Sequence, residues 1–299
     1  MEGNREMSSI RRMLKWANYF GLFSGILLLL VFTYYMFDKS YTSWVYAPML
    51  FAVVGFFSIT NVFFCCYIIN FLKKADDVTL LNNRYILALF SISIGGLFTP
   101  FVLAQMRNIP IESTISPKFT ISKGYGGNSL VSGGLALVIY FALSQFSRKG
   151  AIFEAGLADQ IVVIVFGAIL AWGVLNCLLF ATPNAKATWD KKGFGYFIMN
   201  FVAVINLIIA TIGLILQLIN SVLSIISIFA DMFDRRRGFL GALFNATWAA
   251  YRIAMQLFII YTINRIIKGI WSRADKVQYQ DYSRLAEKQR NFEAQQTQG

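Results

Sequence analysis

Seven long segments with almost no charged side chains constrain the fold of this 299-residue chain more than any other feature. A helix rises about 1.5 Å per residue, so about 20 apolar residues cross the roughly 30 Å hydrocarbon core of a bilayer. The segments are 16–37, 45–72, 85–106, 129–147, 160–185, 193–230 and 238–264. So many long apolar runs cannot share one soluble core. They predict an all-α, polytopic transmembrane helix bundle with about seven spans.

The composition agrees with a membrane protein. Of all residues 57% are hydrophobic and 14% are charged, whereas about 25% are charged in an ordinary soluble domain. The longest polar stretches, a loop at 107–128 and a tail at 272–299, are too short to bury cores of their own. We therefore predict a basic cytoplasmic segment at 1–15, one transmembrane helical domain at 16–271 and a polar C-terminal tail at 272–299.

The positions of Lys and Arg predict the orientation, because cytoplasmic loops carry an excess of both. With seven spans and a cytoplasmic N-terminus, 12 basic residues lie inside and 7 lie outside before the last apolar segment. The tail from Arg265 onward adds seven more to the outside, which weakens the bias. Two alternatives remove this conflict: 238–264 lies along the interface, giving six spans plus an interfacial helix, or 193–230 is two helices. A narrow polar stripe slightly favours a crossing helix at 238–264, and the side of the C-terminus stays open.

Small and polar residues recur along 193–230 in steps of three and four, at Ala203, Asn206, Ala210, Gly213, Gln217, Asn220, Ser224 and Ser227. This spacing indicates one face of a single helix and argues against a hairpin there. Small residues let helices approach closely in lipid, and amide side chains hydrogen-bond across the contact. Three roles remain open for this 203–227 face: packing within the chain, an oligomer or partner interface, and the lining of a polar path. The candidate residues are Asn206, Gly213, Gln217, Asn220, Ser224 and Ser227.

Arg252 is the only charged residue inside a long apolar segment. A charge in mid-membrane costs about 2.5–3.5 kcal/mol on insertion scales, so its guanidinium group should face a polar partner, water or the interface. Two interpretations remain open. The side chain extends along the lipid surface to the interface, or it makes a buried functional or subunit contact. Because of the second interpretation, Arg252 joins the 203–227 face as a candidate site residue.

The stretch ISKGYGGNSLVSGG at 121–134 contains a Gly-Tyr-Gly tripeptide that resembles the centre of a potassium-channel selectivity filter. Lys123 would place a positive charge in the path of the cation, and Pro117 disfavours the pore helix that such a filter needs. Residues 127–128 are typical of a turn. We therefore interpret the stretch as a flexible, glycine-rich entry to the apolar segment that begins at 129.

The chain lacks residues that most enzyme mechanisms need. It contains no histidine, the commonest general base and metal ligand, and its 15 carboxylates all lie outside the apolar segments. The adjacent acidic pair Asp76-Asp77 stands beside two lysines and is typical of a charged, solvated loop. We therefore expect no enzymatic activity, no catalytic residue, no cofactor and no metal site. Proton-coupled transport is also disfavoured, because it usually needs an acidic residue within the membrane.

These features favour a non-enzymatic subunit, scaffold or assembly component of a membrane complex. The alternative is a channel or solute transporter whose polar path is lined by the 203–227 face and Arg252. Basic residues that flank the spans and meet anionic headgroups explain the net charge of +12. The expected partners are the bilayer and protein subunits or further copies of the chain, with no nucleic acid. A plasma-membrane location is expected, with an organelle membrane as the alternative. The partner, the solute and the oligomeric state cannot be inferred from the sequence.

Overall fold

The computed structural model describes residues 2–38, 46–91, 116–147, 156–232 and 239–271, and this part of the chain is almost entirely α-helical. Its helices are α1 (Glu2–Phe37), α2 (Ala47–Lys74), α3 (Asp77–Phe90), α4 (Pro117–Ser147), α5 (Leu157–Phe180), α6 (Ala185–Asp190), α7 (Phe194–Met232) and α8 (Phe239–Trp271). Six of them are long and apolar enough to cross a membrane, namely α1, α2, α4, α5, α7 and α8. The chain is an all-α, multi-pass integral membrane protein, which confirms the predicted fold class.

Six candidate spans in the described residues are one fewer than the seven that the sequence predicts. The difference is the segment 85–106. Its first residues belong to α3, a helix of only 14 residues, and 92–115 lie outside the described part of the chain. The last apolar segment falls within α8, where Ala246–Trp271 has the length and composition of a crossing helix. The predicted tail at 272–299 also lies outside the described residues.

The contacts of α3 show how the described part of this segment, up to Ser91, packs against its neighbours. The end of α2 and the start of α4 lie together, because the Tyr67 hydroxyl group donates to the backbone carbonyl of Thr120 at 3.4 Å. Between them α3 runs back alongside α2, and the Phe90 ring stacks on Phe64 with ring centroids 4.6 Å apart. The chain therefore leaves α2 and enters α4 at the same end of the bundle. Hydropathy detects an apolar segment but does not show whether it crosses.

The predicted glycine-rich turn before residue 129 is wrong, because α4 already begins at Pro117. The Gly-Tyr-Gly tripeptide at 124–126 lies inside this helix. Its carbonyl groups belong to the helical hydrogen-bond pattern and form no filter loop. A Cβ atom added at Gly126 would lie 2.5 Å from Cβ of Asn176 in α5. Gly126 therefore makes room for the neighbouring helix α5 and does not form a turn.

Two further glycines, Gly133 in α4 and Gly173 in α5, bring these helices close together. A Cβ atom at Gly173 would overlap the backbone of Leu130, and one at Gly133 would lie 3.3 Å from the backbone nitrogen of Leu170. Contacts between small residues allow tight van der Waals packing of helices in lipid. Because α4 also contacts α2 and α3, it is the helix around which this part of the structure packs.

The described helices divide into two compact units, with the boundary inside α7 after Asn206. In the first unit, side chains of α2, α4 and α5 form a buried cluster that includes Tyr140 and Phe166. In the second unit, the Trp271 indole at the end of α8 donates a hydrogen bond to the Thr211 hydroxyl group of α7 at 2.8 Å. The polar contacts described next belong to the first unit.

Candidate functional site

A cluster of polar side chains is buried among α4, α5 and the first part of α7. Asn206 at its centre is 0% exposed, and its amide nitrogen donates to Asn176 Oδ1 at 2.7 Å and to Ser122 Oγ at 3.1 Å. Its amide oxygen accepts a hydrogen bond from the Trp172 indole at 2.9 Å. We call these four residues the Asn206 cluster. Hydrogen bonds between helices stabilise such side chains where no water is present.

The first turns of α4 make further polar contacts with neighbouring helices. Thr120 Oγ1 donates to Asn83 Oδ1 of α3 at 2.6 Å, and Asn83 Nδ2 donates to the carbonyl of Thr79 at 2.9 Å. Lys118 Nζ donates to Asn200 Oδ1 of α7 at 3.1 Å. Side-chain hydrogen bonds therefore fix the beginning of α4 against both α3 and α7.

Arg11 joins three helices at the same end of the bundle. Its Nε donates to Asp77 Oδ1 at 2.6 Å, and its terminal nitrogens donate to the carbonyl oxygens of Leu72 at 2.9 Å and Ala75 at 2.8 Å. These carbonyls lie at the C-terminal end of α2, where helical partners are lacking and a cation is favourable. One guanidinium group of α1 thus caps α2 and pairs with the first turn of α3.

The acidic pair Asp76-Asp77 is the start of α3 and not the loop that the sequence suggests. Asp76 is the N-cap residue and accepts a hydrogen bond from the backbone N–H of Thr79 at 3.1 Å. Hydrogen bonding by Thr79 lowers the pKa of the Asp76 carboxyl group below its ordinary value, and the charge of Arg11 acts in the same direction. One carboxylate therefore fixes the beginning of the helix, and the other binds Arg11.

A cleft of ≈180 Å³ opens between the last turns of α2 and the first turns of α4. Its lining residues are Tyr67, Asn70, Phe71, Lys74, Ala75, Phe119, Thr120 and Lys123. We call it the α2–α4 cleft. Lys74 and Lys123 are both exposed, and no carboxylate is found among these lining residues. Aromatic rings thus form an apolar wall, and two ammonium groups give the opening a positive charge.

One carboxylate lies within an apolar helix, contrary to the expectation from the sequence. Asp159 is only 9% exposed in the first turn of α5, and it begins the candidate span Asp159–Phe180. It accepts a hydrogen bond from the Tyr140 hydroxyl group of α4 at 2.8 Å. The N-terminal turn of a helix also favours a negative charge. The predicted segment begins one residue later, at 160, and for that reason misses this carboxylate.

The structure places the predicted site residues in two different settings. Asn206 is the centre of the buried cluster in the first unit. The others belong to the second unit, where Gln217 and Ser224 are half-buried and the exposed residues are Gly213, Asn220, Ser227 and Arg252. Of the seven predicted site residues, only Asn206 therefore belongs to the buried polar cluster. The roles of the other six residues stay predictions.

The buried positions of α7 do not follow the 203–227 face along its whole length. Asn206 is buried in the first unit, whereas the buried positions in the second unit include Leu214, Ser221 and Ile228. Each of these three comes directly after an exposed residue of the predicted face, namely Gly213, Asn220 and Ser227. A spacing of three and four in the sequence predicts one continuous face, but it does not show which of its residues pack inside the chain.

Arg252 lies beside two exposed aromatic side chains of α8. The rings of Trp248 and Tyr251 stack with centroids 5.5 Å apart. Arg252 stands 19 residues before Trp271 in the same helix, which corresponds to about 28 Å along the axis. Trp248, Tyr251 and Arg252 lie near the start of the candidate span Ala246–Trp271, and such residues at the end of a span are typical of the membrane interface.

The sequence-based analysis missed the partners of Asn206, because Ser122, Trp172 and Asn176 come from two other helices. An amide inside the apolar segment 160–185 was the one signal that pointed to a buried polar contact. Within the described ranges, no group of three or more His, Cys, Asp or Glu side chains could hold a metal ion. Comparison of the chain with protein-family models, curated proteins and solved structures finds no match.

Proposed function

We propose that the protein is a non-enzymatic subunit or assembly component of a membrane complex and that it associates through one exposed face of α7. The proposal depends on the exposure of Gly213, Asn220 and Ser227 on a helix whose other exposed side chains are mostly large and apolar. We call these three residues the α7 polar face. They succeed one another at intervals of seven residues, about 10 Å along the helix axis.

A second helix on the α7 polar face would remove an unfavourable exposure. Hydrocarbon offers no hydrogen-bond partner to the Asn220 amide, whereas a neighbouring helix does. A Cβ atom at Gly213 would meet no atom of the described residues within 4 Å, so this position is open to close approach by another backbone. An amide with small residues on either side is the usual composition of helix–helix contacts in membranes.

We further propose that the protein lies in the plasma membrane and that both of its termini are on the cytoplasmic side. Six crossings put both termini on one side, and the chain between α2 and α4 stays on that side. Twenty basic residues then lie there: four at 5–15, six at 73–123, three at 186–192 and seven from 265 onward. Only six lie on the opposite side, at 39, 148–149 and 235–237. Cytoplasmic segments carry the excess of Lys and Arg, and the conflict over the tail disappears.

The first test is the mass of the intact complex after purification in a mild detergent. The subunit proposal requires a second polypeptide or further copies of the chain in fixed stoichiometry. Asn220→Leu should weaken this assembly, whereas Val222→Leu, on the other exposed flank of α7, should leave it intact. A monomeric wild-type protein without a second polypeptide would contradict the proposal, and so would equal assembly of both variants.

The second candidate function is transport of a solute or ion. It is favoured by α3, a helix of 14 residues that runs back into the bundle and ends at the buried Ser91. Short helices that end inside a bundle are common in transport proteins. In this alternative the polar path is lined by the 203–227 face and Arg252. Solute flux into proteoliposomes that is lost in the Gln217→Leu, Asn220→Leu double variant would support it, and absence of flux in the wild type would count against it.

A further inference from the structure

We infer that the α2–α4 cleft binds the phosphate group of an anionic phospholipid. Lys74, at the last position of α2, and Lys123, in the second turn of α4, both line this cleft. Among the described residues, the ion pair of Arg11 with Asp77 involves neither Lys74 nor Lys123, and no other polar partner of these two lysines is found there. Neither lysine therefore has a carboxylate within ion-pair distance in the described part of the chain, and both ammonium groups are available to an anion.

The shape of the cleft suits a lipid better than a small ion alone. Tyr67 and Lys74 line it seven residues apart on α2, so it extends about 10 Å inward from the helix end. The aromatic rings of Phe71 and Phe119 line it together with the polar Asn70 side chain. A phosphate group at the lysines would place the glycerol and the first acyl carbons along these rings. Basic pockets between membrane helices are known to bind anionic headgroups in this way.

The helix ends around the cleft increase its preference for an anion. Helix α4 begins at Pro117, two residues before the lining residue Phe119. The positive end of its helix dipole therefore lies next to the cleft. The C-terminus of α2 would oppose this effect, but the Arg11 guanidinium group donates to its carbonyls at Leu72 and Ala75. The charge that remains at the opening is positive. A free phosphate ion shares the chemistry of the headgroup, so the test must separate the two sources.

The test uses the full-length protein and counts bound lipids by native mass spectrometry after exchange into phosphatidylglycerol or phosphatidylcholine. The variant K74Q/K123Q removes both ammonium groups of the cleft. The matched control K186Q/K191Q removes two exposed lysines on and just after α6, which do not line the cleft. Each lysine near a membrane surface contributes about fivefold to anionic-lipid affinity, so we expect about a 25-fold loss in the first variant and none in the control. Thermal unfolding of both variants checks that they remain folded.

A parallel titration with inorganic phosphate identifies the source of the anion. Retention of phosphatidylglycerol by wild type and control, with loss in K74Q/K123Q, supports a headgroup site. Binding of inorganic phosphate with the same lysine dependence, but without lipid retention, supports the anion site and assigns it to a soluble phosphate. Equal retention of phosphatidylglycerol by the folded K74Q/K123Q and K186Q/K191Q variants overturns the inference. It is also overturned if the wild type does not prefer phosphatidylglycerol to phosphatidylcholine and binds no inorganic phosphate. Because no step uses the α7 polar face, this result is independent of the proposed subunit role.

Discussion

Replacement of Asn206 by leucine tests whether the Asn206 cluster holds α4, α5 and α7 together. The side chain is fully buried and makes three hydrogen bonds, to Asn176, Ser122 and Trp172. Hydrogen bonds between membrane helices average about 0.6 kcal/mol, so their loss should lower the free energy of unfolding by about 2 kcal/mol. The largest value measured for one such bond, about 1.7 kcal/mol, sets an upper bound of about 5 kcal/mol.

The same substitution at Asn220 is the matched control, because it changes the same atoms in the same helix at an exposed position. Both variants are unfolded by titration with sodium dodecyl sulfate in mixed micelles, and the loss of helix is followed by circular dichroism. In the dissociated single chain, where no partner covers the α7 polar face, Asn220→Leu should change the free energy of unfolding by no more than about 0.5 kcal/mol. The reasoning is refuted if Asn206→Leu is as stable as the wild type, or if the two variants lose equal stability.

Three further predictions concern other contacts of the described residues. Gly173→Ala should lower the free energy of unfolding by about 1–3 kcal/mol, because its methyl group overlaps the backbone of α4, whereas Gly213→Ala should leave it unchanged or slightly raised. Arg11→Gln should lower it by about 1–3 kcal/mol through loss of the cap on α2, and equal stability of variant and wild type would contradict this role. Because the pKa of Asp76 is lowered in the folded protein, its carboxylate stabilises α3 above about pH 4, and this contribution disappears as the pH falls through the lowered pKa. Asp76→Ala should reduce the slope of stability against pH in that acidic range, and an unchanged slope would show that another group is responsible.

The long helices could be predicted from the sequence because lipid imposes a simple requirement on length and apolar character. The segment 85–106 shows the limit of that argument. Phe90, in its described part, packs against Phe64 of α2 and Tyr125 of α4, and hydropathy cannot separate burial in protein from burial in lipid. Contacts between distant parts of the chain, such as Tyr67 with Thr120, are needed to show that α2 ends and α4 begins at the same end of the bundle.

The glycines at 124–127 were misinterpreted for a different reason. In soluble proteins Gly-Gly and Gly-Asn pairs are strong turn signals, but glycine is more frequent in membrane helices, where it permits close packing. Asn206 could be identified from its helix alone because an amide in an apolar segment needs a partner. Its partners could not be identified from the sequence, because the packing of three helices brings Ser122 and Asn176 to Asn206. The α2–α4 cleft has the same origin, since Lys74 and Lys123 are 49 positions apart.

The return of the chain between α2 and α4 to one end of the bundle has a consequence for biosynthesis. In the proposed six-span orientation the candidate spans form three consecutive pairs, α1–α2, α4–α5 and α7–α8, and each pair would enter the membrane as a helical hairpin. The connections that must be carried across are short, with nine, nine and six residues between the helices. They contain one, two and three basic residues, six in all, whereas twenty lie in the segments on the other side and the helix ends that adjoin them. In the proposed orientation the chain thus translocates only short connections, of which 233–238 with its three arginines is the most basic, and most basic flanks stay on the cytoplasmic side.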